Sequence, residues 1–588
     1  MTEDRDAGNV LLLRSLLNRL DKGAEAARTQ SGGVVSDAER EALRALLRAK
    51  EGAELPTGKP IESQVPLGEN GAEKLASEAA STPPSAAVEL DETALKLDAS
   101  PKPDWVLCLD FGTAKSKAFA ATGDEDALDL RALAIGAADE DRDGAVYDVA
   151  SSVWITDDGL LFVGSQAVKR SMEYGGEREA LHSLKQEISQ VDAEDGAAKV
   201  RRILPRKVDP GATLTYGDAI TIYLAYLTDL ATTEIASDKV IATRYVRRRF
   251  TVPAWKETHR RWAAGWIGTC LLRAQVLADT FHGRWRNGIP VRDVKDAVRA
   301  VAKHDRELAW MAATESGDAS DWGSGILEAL AAASARLWTD GSARHLMLVV
   351  DVGAGTTDLS LFLVVQDQKK ERALHSAWPA EGAVAVGVRQ AGDTLDDLLV
   401  QVLIEKAGLV GHQAGDRARQ FLRPRARLLK QTLFKGGRIS PELPTDGEVT
   451  LSKEEFVGSP GVQRFSEFIA GKIQQLLDGV DPRWGELAEL HGLTMVLTGG
   501  GYELPMITGL AERAWRLGEC EVRVRLAPTV PDGVADRFSQ EFQQEYPRLA
   551  VAMGGALPLR LDEKSPMPAW LGRTGSPGQL DKFPIQGV

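Results

Sequence analysis

The fold is decided by a stretch near the middle of the chain, from Leu346 to Val365, which reads LMLVVDVGAGTTDLSLFLVV. Two apolar runs enclose a short polar segment, and this pattern predicts a buried β-hairpin with a polar tip. The tip contains two aspartates, two glycines and two threonines, namely Asp351, Gly353, Gly355, Thr356, Thr357 and Asp358. An ordinary hairpin turn needs fewer special residues, so we interpret this tip as a ligand-binding site.

A second unit with the same layout lies on the N-terminal side of the first. The stretch WVLCLDFGTAKSKAFAA, residues 105–121, places Asp110 at the end of an apolar strand and Gly112 and Thr113 at the bend. A single Asp-x-Gly bend is typical of an ordinary hairpin. Two bends with the same placement of aspartate and glycine instead predict two hairpins that act together.

A glycine-rich turn follows both hairpins along the chain. In LTMVLTGGGYELPMI, residues 493–507, an apolar strand ends at Gly499, Gly500 and Gly501, and Pro505 opens a helix at a position that tolerates proline. Such a strand-to-helix turn allows a nucleoside to lie against the backbone. No GxxxxGK[ST] sequence occurs, so a Walker-type phosphate loop is excluded.

The residue types of the two hairpin tips suit a polyphosphate with magnesium. Glycine lets the backbone approach a ligand closely, and successive N–H groups at a bend can form a nest for an anion. An aspartate before each bend can hold hydrated magnesium, because this ion keeps most of its waters and takes few carboxylates. Two facing hairpins would therefore clamp a polyphosphate from both sides.

The three motifs, in this order and at roughly these separations, resemble the actin, hexokinase and heat-shock ATPase superfamily. The closest resemblance is to the nucleotide-binding domain of DnaK-type heat-shock chaperones, and it covers residues 104–560. It implies an α/β, two-lobed actin-like ATPase fold made of duplicated ribonuclease-H-like domains with small inserted subdomains. The implied boundaries are residues 104–344 and 546–560 for lobe I, 345–545 for lobe II and 392–453 for an inserted subdomain. Further stretches that resemble the family are residues 160–171, 181–188, 250–255, 325–335, 390–400 and 545–559.

The resemblance also implies roles for individual residues. Asp110 and Asp351 would hold magnesium, and Asp351 would orient the attacking water. Glu328 would bind water of the magnesium shell or the nucleophilic water, and Lys185 would neutralise charge on the γ-phosphoryl group. The implied nucleotide contacts are Gly112, Thr113, Ala114, Lys115, Lys117, Gly353, Ala354, Gly355, Thr356, Thr357, Gly392, Asp393, Lys430, Gly499, Gly500, Gly501 and Glu503.

Two features of this implied site depart from the DnaK pattern. Lys117 occupies the position where actins place a phosphate-binding lysine, and the alternative is a strand residue that faces solvent. At the base end, Lys430 is kept, but several other family residues are replaced. The replacements are Arg427, Gln431, Phe434, Glu503 and Arg548. ATP is the predicted nucleotide, and the identity of the base stays open.

The remaining segments carry weaker patterns. Leucines at helical spacing predict a helical hairpin over residues 1–51, which either packs on itself or docks a partner. Residues 52–103 are rich in Pro, Gly, Ser, Glu and Ala and predict a disordered linker, and residues 561–588 predict an irregular tail. Between Pro253 and Glu328 lies an insertion that either joins the core or binds a protein. Its tryptophans are Trp255, Trp262, Trp266, Trp285, Trp310 and Trp322.

Composition narrows the function classes. The net charge of −14 argues against a protein that coats nucleic acid. The cysteines Cys108, Cys270 and Cys520 have neither disulfide-framework nor metal-ligand spacing, which fits a reducing cytoplasm. The first residues do not form a signal peptide, and no apolar run is long enough to span a membrane. We therefore expect a cytoplasmic protein.

Three functions remain open at this point. The first is a magnesium-dependent ATPase that binds ATP and ADP and acts as a chaperone-like conformational switch with a protein partner. The second is an actin-like filament-forming ATPase, and the third is a small-molecule kinase. A peptide-gripping foldase is not expected, because the residues after 560 are too few for the β-sandwich of DnaK-type chaperones.

Overall fold

The structure is a computed structural model, and it describes residues 88–123, 128–140, 145–173, 178, 180–189, 193–312, 325–337, 344–366, 372–376, 385–444, 447–480 and 483–557. Over these ranges the chain is a mixed α/β protein with several sheets. The predicted N-terminal helical hairpin, most of the predicted linker and the predicted tail lie outside the described residues.

The secondary structure is as follows. The strands are β1 (Lys102–Asp110), β2 (Lys115–Thr122), β3 (Asp129–Ala132), β4 (Asp148–Ala150), β5 (Ser152–Ile155), β6 (Leu160–Val163), β7 (Leu181–His182), β8 (Val246–Val252), β9 (Ile289–Pro290), β10 (Ile326–Leu327), β11 (Arg344–Val352), β12 (Thr357–Gln366), β13 (Arg372–Ser376), β14 (Ala385–Val388), β15 (Arg438–Ile439), β16 (Glu442–Leu443), β17 (Gly447–Glu448), β18 (Leu451–Ser452), β19 (Leu493–Thr498), β20 (Ala514–Leu517) and β21 (Cys520–Leu526). The helices are α1 (Ile135–Glu140), α2 (Gly164–Glu173), α3 (Gln186–Ser189), α4 (Ala193–Arg201), α5 (Tyr216–Ser237), α6 (Glu257–Phe281), α7 (Val291–Val301), α8 (Glu328–Leu337), α9 (Gly392–Lys406), α10 (Gln413–Leu422), α11 (Ala426–Gly436), α12 (Lys453–Val457), α13 (Pro460–Gly479), α14 (Arg483–His491), α15 (Pro505–Thr508), α16 (Asp532–Ala535) and α17 (Gln540–Ala556).

The two large sheets repeat one strand arrangement. In the first sheet the order is β10-β8-β1-β2-β3, and in the second it is β13-β12-β11-β19-β21-β20. Each is built around an antiparallel hairpin, β1–β2 or β11–β12, with a third antiparallel strand beside it. On the other side of each hairpin lie two parallel strands, β8 and β10 in the first sheet and β19 and β21 in the second. Five strands of each sheet therefore share order and direction, and the second sheet adds the antiparallel strand β20 at its edge.

The residue types of the strands in both hairpins match their burial. The side chains of β11 from Leu346 to Val350 are fully buried, and this explains their unbroken apolar run, because a strand covered on both faces needs no polar alternation. In β1 the last six residues, from Trp105 to Asp110, are buried. The bend after β1 requires glycine, since a Cβ at Gly112 would lie 2.0 Å from the carbonyl oxygen of Lys115.

Helix α17 joins two elements of the first sheet's half. A Cβ at Gly554 would lie 1.7 Å from the carbonyl oxygen of Ala331 in α8, and a Cβ at Gly555 would lie 2.5 Å from the Cys108 sulfur in β1. Only glycine allows helix and neighbour to approach this closely. Helix α17 thereby fixes α8 and β1 relative to each other.

Residues 392–453 comprise helices α9, α10 and α11 together with the small sheets β15–β18 and β16–β17. Their buried apolar side chains, such as Leu399 and Leu433, belong to the same hydrophobic cluster as the second sheet. The other small sheet, β7-β5-β6-β9, is built from residues between β4 and α7.

Two expectations change here. Residues 88–101, assigned from composition to the disordered linker, are ordered: Ala94 is fully buried, and Val88 and Leu90 pack against the core. A few apolar residues suffice for this packing within a polar segment.

Five of the six tryptophans of the insertion lie in or against the core, with the rings of Trp262 and Trp266 stacked at 6.4 Å. This favours the alternative in which the insertion joins the core. Trp322 lies outside the described residues. Within the described part of the chain, none of the helices combines the length and apolar character needed to cross a membrane.

Candidate functional site

The tips of the two hairpins contact each other. A Cβ at Gly355, in the bend between β11 and β12, would lie 2.8 Å from the side chain of Thr113 in the bend between β1 and β2. The glycine-rich turn joins them, because a Cβ at Gly499 would lie 2.3 Å from Asp351 Oδ1. The amide of Gly501 also donates to the carbonyl of Val352 at 2.9 Å. All three sequence motifs therefore meet at one place.

The first hairpin presents a paired carboxylate. Asp110 Oδ2 lies 3.1 Å from Lys117 Nζ, and Asp110 Oδ1 accepts a hydrogen bond from Thr251 Oγ1 at 2.9 Å. Burial favours a higher pKa for Asp110, but Lys117 and Lys185 outweigh it, so its pKa lies below the ordinary value. The Lys117 side chain is 15% exposed, which excludes the solvent-facing alternative in this structure. Burial lowers the pKa of Lys117, but Asp110 outweighs it and the pKa is raised.

The second hairpin presents two buried carboxylates in direct register, Asp351 opposite Asp358. Burial and the neighbouring charges of Glu328 and Asp358 raise the pKa of Asp351 well above its ordinary value, although Lys117 acts in the opposite direction. Asp358 accepts a hydrogen bond from the Ala254 amide at 2.7 Å. Burial nevertheless raises the pKa of Asp358.

A buried ion pair completes the charged cluster. Glu328 is the first residue of α8, and its carboxylate pairs with Lys185, whose side chain is 2% exposed. Burial raises the pKa of Glu328, with further contributions from Asp358 and Asp110, although Lys185 opposes this rise. The two residues of this pair are 143 positions apart in the sequence.

The cluster contains more carboxyl groups than ammonium groups. Its buried carboxylates are Asp110, Glu328, Asp351 and Asp358, and its ammonium groups are Lys117 and Lys185. Among the described residues no group of three or more His, Cys, Asp or Glu is arranged to hold a metal ion directly. The residues fit magnesium that is held mainly through its own waters, since such an ion needs only one or two carboxylates. Crowding of carboxylates around Asp351 is the feature that a divalent cation would relieve.

The rim of the site comes from α9 and α11. The amides of Gly392 and Asp393 donate to the carbonyls of Gly353 and Ala354 at 3.1 and 2.8 Å. Lys430 Nζ in turn donates to the carbonyl of Gly392 at 2.5 Å. The N-terminus of α9 is therefore held against the second hairpin tip.

The predicted base-end residues are more dispersed. Glu503 is exposed and accepts a hydrogen bond from Tyr502 at 2.6 Å. Arg548 donates to Glu545 at 2.7 Å, and the ring of Phe434 packs edge-on against Phe456 at 6.1 Å. These contacts are internal to the protein.

Sequence reasoning omitted several residues of this cluster. Asp358 lies in the quoted tip and was not assigned a role, although hairpin register alone places it opposite Asp351. Thr251 stands in the stretch at residues 250–255, and its hydroxyl reaches Asp110. Gln186 follows Lys185 and donates from Nε2 to Asp393. No local pattern predicts Gln186, because its partner lies far along the chain.

A groove of about 630 Å³ lies elsewhere, on the small sheet that contains β5 and β6. Its lining includes Trp154, Leu160, Phe162 and Arg170, and none of the predicted site residues. We locate the candidate site by its converging charged groups rather than by the volume of this groove, because buried titratable residues with perturbed pKa values cluster at functional sites.

No protein-family model matches the chain, and no curated protein is significantly similar to it. The interpretation of the site therefore depends on its own residues.

Proposed function

We propose that the chain is a magnesium-dependent ATPase with a two-lobed actin-like fold, akin to the nucleotide-binding domain of DnaK-type chaperones. The repeated strand arrangement of the two large sheets supports a duplicated ribonuclease-H-like core. The observation that carries the functional proposal is the contact between the hairpin tips, which brings Asp110, Lys117, Asp351, Lys185 and Glu328 into one buried cluster.

The reaction is the hydrolysis of ATP to ADP and phosphate. Phosphoryl transfer depends on positioning and electrostatic stabilisation, and each residue has a task of that kind. The ammonium groups of Lys117 and Lys185 balance phosphate charge from two directions. Asp351, at the contact between the second hairpin and the glycine-rich turn, orients the attacking water. Magnesium, when bound, neutralises charge between the phosphates.

Release of phosphate from purified protein and ATP, with magnesium and without any added acceptor, tests this proposal. Turnover under these conditions identifies a hydrolase, whereas turnover only with a small-molecule acceptor identifies a kinase. Sedimentation with and without ATP tests the filament alternative. ATP-dependent pelleting would overturn the conformational switch in favour of a filament.

We also propose that a protein partner senses the nucleotide through residues 1–85. The alternative partner-binding segment is the insertion between Pro253 and Glu328. Five of its tryptophans pack inside the protein, and this favours residues 1–85. A chain that begins at residue 86 keeps Val88, Leu90 and Ala94 on the core, whereas removal of residues 1–100 would expose that core. The shortened chain should bind ATP like the full chain and fail to recover the partner from native lysate. Equal recovery by both chains would contradict a role for residues 1–85.

A further inference from the structure

Helix α3 begins directly after Lys185, and both of its ends contact the half of the molecule that contains the second sheet. Gln186, its first residue, donates from Nε2 to Asp393 Oδ2. At its last residue, the carbonyl of Ser189 accepts a hydrogen bond from Arg389 Nη2 at 3.4 Å. The segment that carries Lys185 is thus tied to residues that follow β14.

Asp393 is the centre of this connection. Its Oδ1 accepts a hydrogen bond from Arg427 Nη2 at 2.7 Å, while its backbone amide donates to Ala354 at 2.8 Å. Burial raises the pKa of Asp393, and Arg427 acts in the opposite direction. Asp393 therefore connects α3 and α11 through its carboxylate and the tip of the second hairpin through its backbone amide.

Gln186 also lies against the hairpin contact. Its Nε2 would be 3.0 Å from a Cβ at Gly355, beside the side chain of Thr113 at 2.8 Å. The side chain of Gln186 consequently crosses the place where the two tips meet. A separation of the tips would break its bond to Asp393 and release α3.

We propose that Gln186 is a positioning residue, which couples closure of the two hairpin tips to the placement of Lys185 beside Glu328. This inference rests on the proposed ATPase function. With the tips closed, the bond to Asp393 fixes α3, and α3 fixes the Lys185 ammonium. With the tips apart, Lys185 loses this support, and nucleotide leaves. Gln186 thereby affects both hydrolysis and nucleotide release without touching the phosphates.

Gln186→Ala tests the coupling. A hydrogen bond to a charged acceptor has a net effect of about tenfold to 100-fold in an equilibrium. We expect release of a fluorescent N-methylanthraniloyl ADP to become about tenfold to 100-fold faster and single-turnover hydrolysis to become about tenfold slower. The matched control is Gln401→Ala. Gln401 in α9 bonds to Glu405 in the same helix and to Arg419 in α10. Its replacement should leave both rates within about twofold of wild type.

A charge exchange separates positioning from a merely structural role. Gln186→Glu sets two carboxylates against each other, and release should be faster than in Gln186→Ala. Combining Gln186→Glu with Asp393→Asn restores an amide–carboxylate pair in the reverse sense. The double variant should recover at least half of the lost hydrolysis rate.

The outcomes distinguish this inference from the proposed function. Release and hydrolysis in Gln186→Ala that match those of Gln401→Ala would overturn the positioning role and leave the ATPase intact. Failure of the double variant to recover would also overturn it. Failure of the wild-type chain to bind the fluorescent nucleotide would overturn the ATPase itself, and the positioning role with it.

Discussion

The two hairpins share a layout but differ in their electrostatics. In the first, the residue in register with the terminal aspartate is a lysine, since Asp110 pairs with Lys117. In the second, it is another aspartate, since Asp351 pairs with Asp358. The pKa of Asp110 is consequently lowered, despite burial, whereas burial and neighbouring carboxylates raise the pKa of Asp351.

The difference shows how strongly the residue opposite a buried aspartate in a hairpin affects the pKa of that aspartate. Asp110 stays ionised and offers a permanent negative charge, which suits a holding role. Asp351 sits among like charges, and its pKa is raised, so its carboxylate is the stronger base of the two when it is ionised. The two hairpins therefore place their aspartates in different electrostatic surroundings.

The largest expected effect comes from replacing Asp351, to which we assign the orientation of the attacking water. In Asp351→Asn we expect hydrolysis to fall by about 10² to 10⁴, the range typical of a general base, while nucleotide affinity stays within about fivefold. Phosphate release and equilibrium binding measure the two quantities. Asp416→Asn, an exposed change on α10, is the control. Unchanged turnover in Asp351→Asn would contradict the assigned role.

The next effect comes from removing the lysine that distinguishes the first hairpin. Lys117→Met should raise the pKa of Asp110 and weaken nucleotide binding by about tenfold to 100-fold, because a buried charged contact is lost. Lys406→Met is the matched control. Lys406 pairs with Glu455 but is 37% exposed, and exposed pairs contribute about 0 to 1 kcal/mol. Equal losses of affinity in the two variants would show that the buried Lys117 contributes no more to nucleotide binding than an exposed lysine does.

The smallest effect concerns stability, where the two hairpins should respond to pH in opposite ways. The lowered pKa of Asp110 stabilises the fold above about pH 4, so Asp110→Asn should reduce the free energy of unfolding by a similar amount at pH 5 and pH 8. The raised pKa of Asp358 means that its ionisation destabilises the fold as pH rises. Asp358→Asn should therefore stabilise at pH 8 and less so at pH 5. Each pKa unit corresponds to about 1.4 kcal/mol.

Urea unfolding of both variants and the wild type at these two pH values checks the contrast. Asparagine can still accept the hydrogen bond from Ala254, so the change at Asp358 mainly removes charge. A destabilised Asp358→Asn at pH 8 would show that its hydrogen bond outweighs the charge repulsion, and the comparison of the hairpins would fail.

Sequence patterns were sufficient for the elements with strong local signals. The apolar runs around Asp351 and Asp110 predict the hairpins, and the strand before Gly499 is equally plain. The pattern could also suggest that the three motifs act together. Their actual contact, through Gly355 and Thr113, depends on how the two sheets pack and has no local signal.

The features that sequence analysis missed depend on distant partners or on tertiary context. Composition assigned residues 88–101 to a linker because it averages over a segment, while burial of Ala94 depends on the surface it meets. The ionic partner of Lys185 and the bond from Gln186 to Asp393 join residues far apart in sequence. The roles of these residues in catalysis stay predictions until the variants are measured.

The contact between Gly554 and Ala331 bears on the order in which a growing chain becomes active. Every motif residue up to Gly501 is synthesised before α17, yet α17 is the element that fixes α8, which carries Glu328, against β1, which carries Asp110. A nascent chain in which α17 is still inside the ribosome thus contains all the motif residues but lacks the helix that fixes α8 against β1. If the chain is the proposed ATPase, we expect no ATP turnover before α17 has folded.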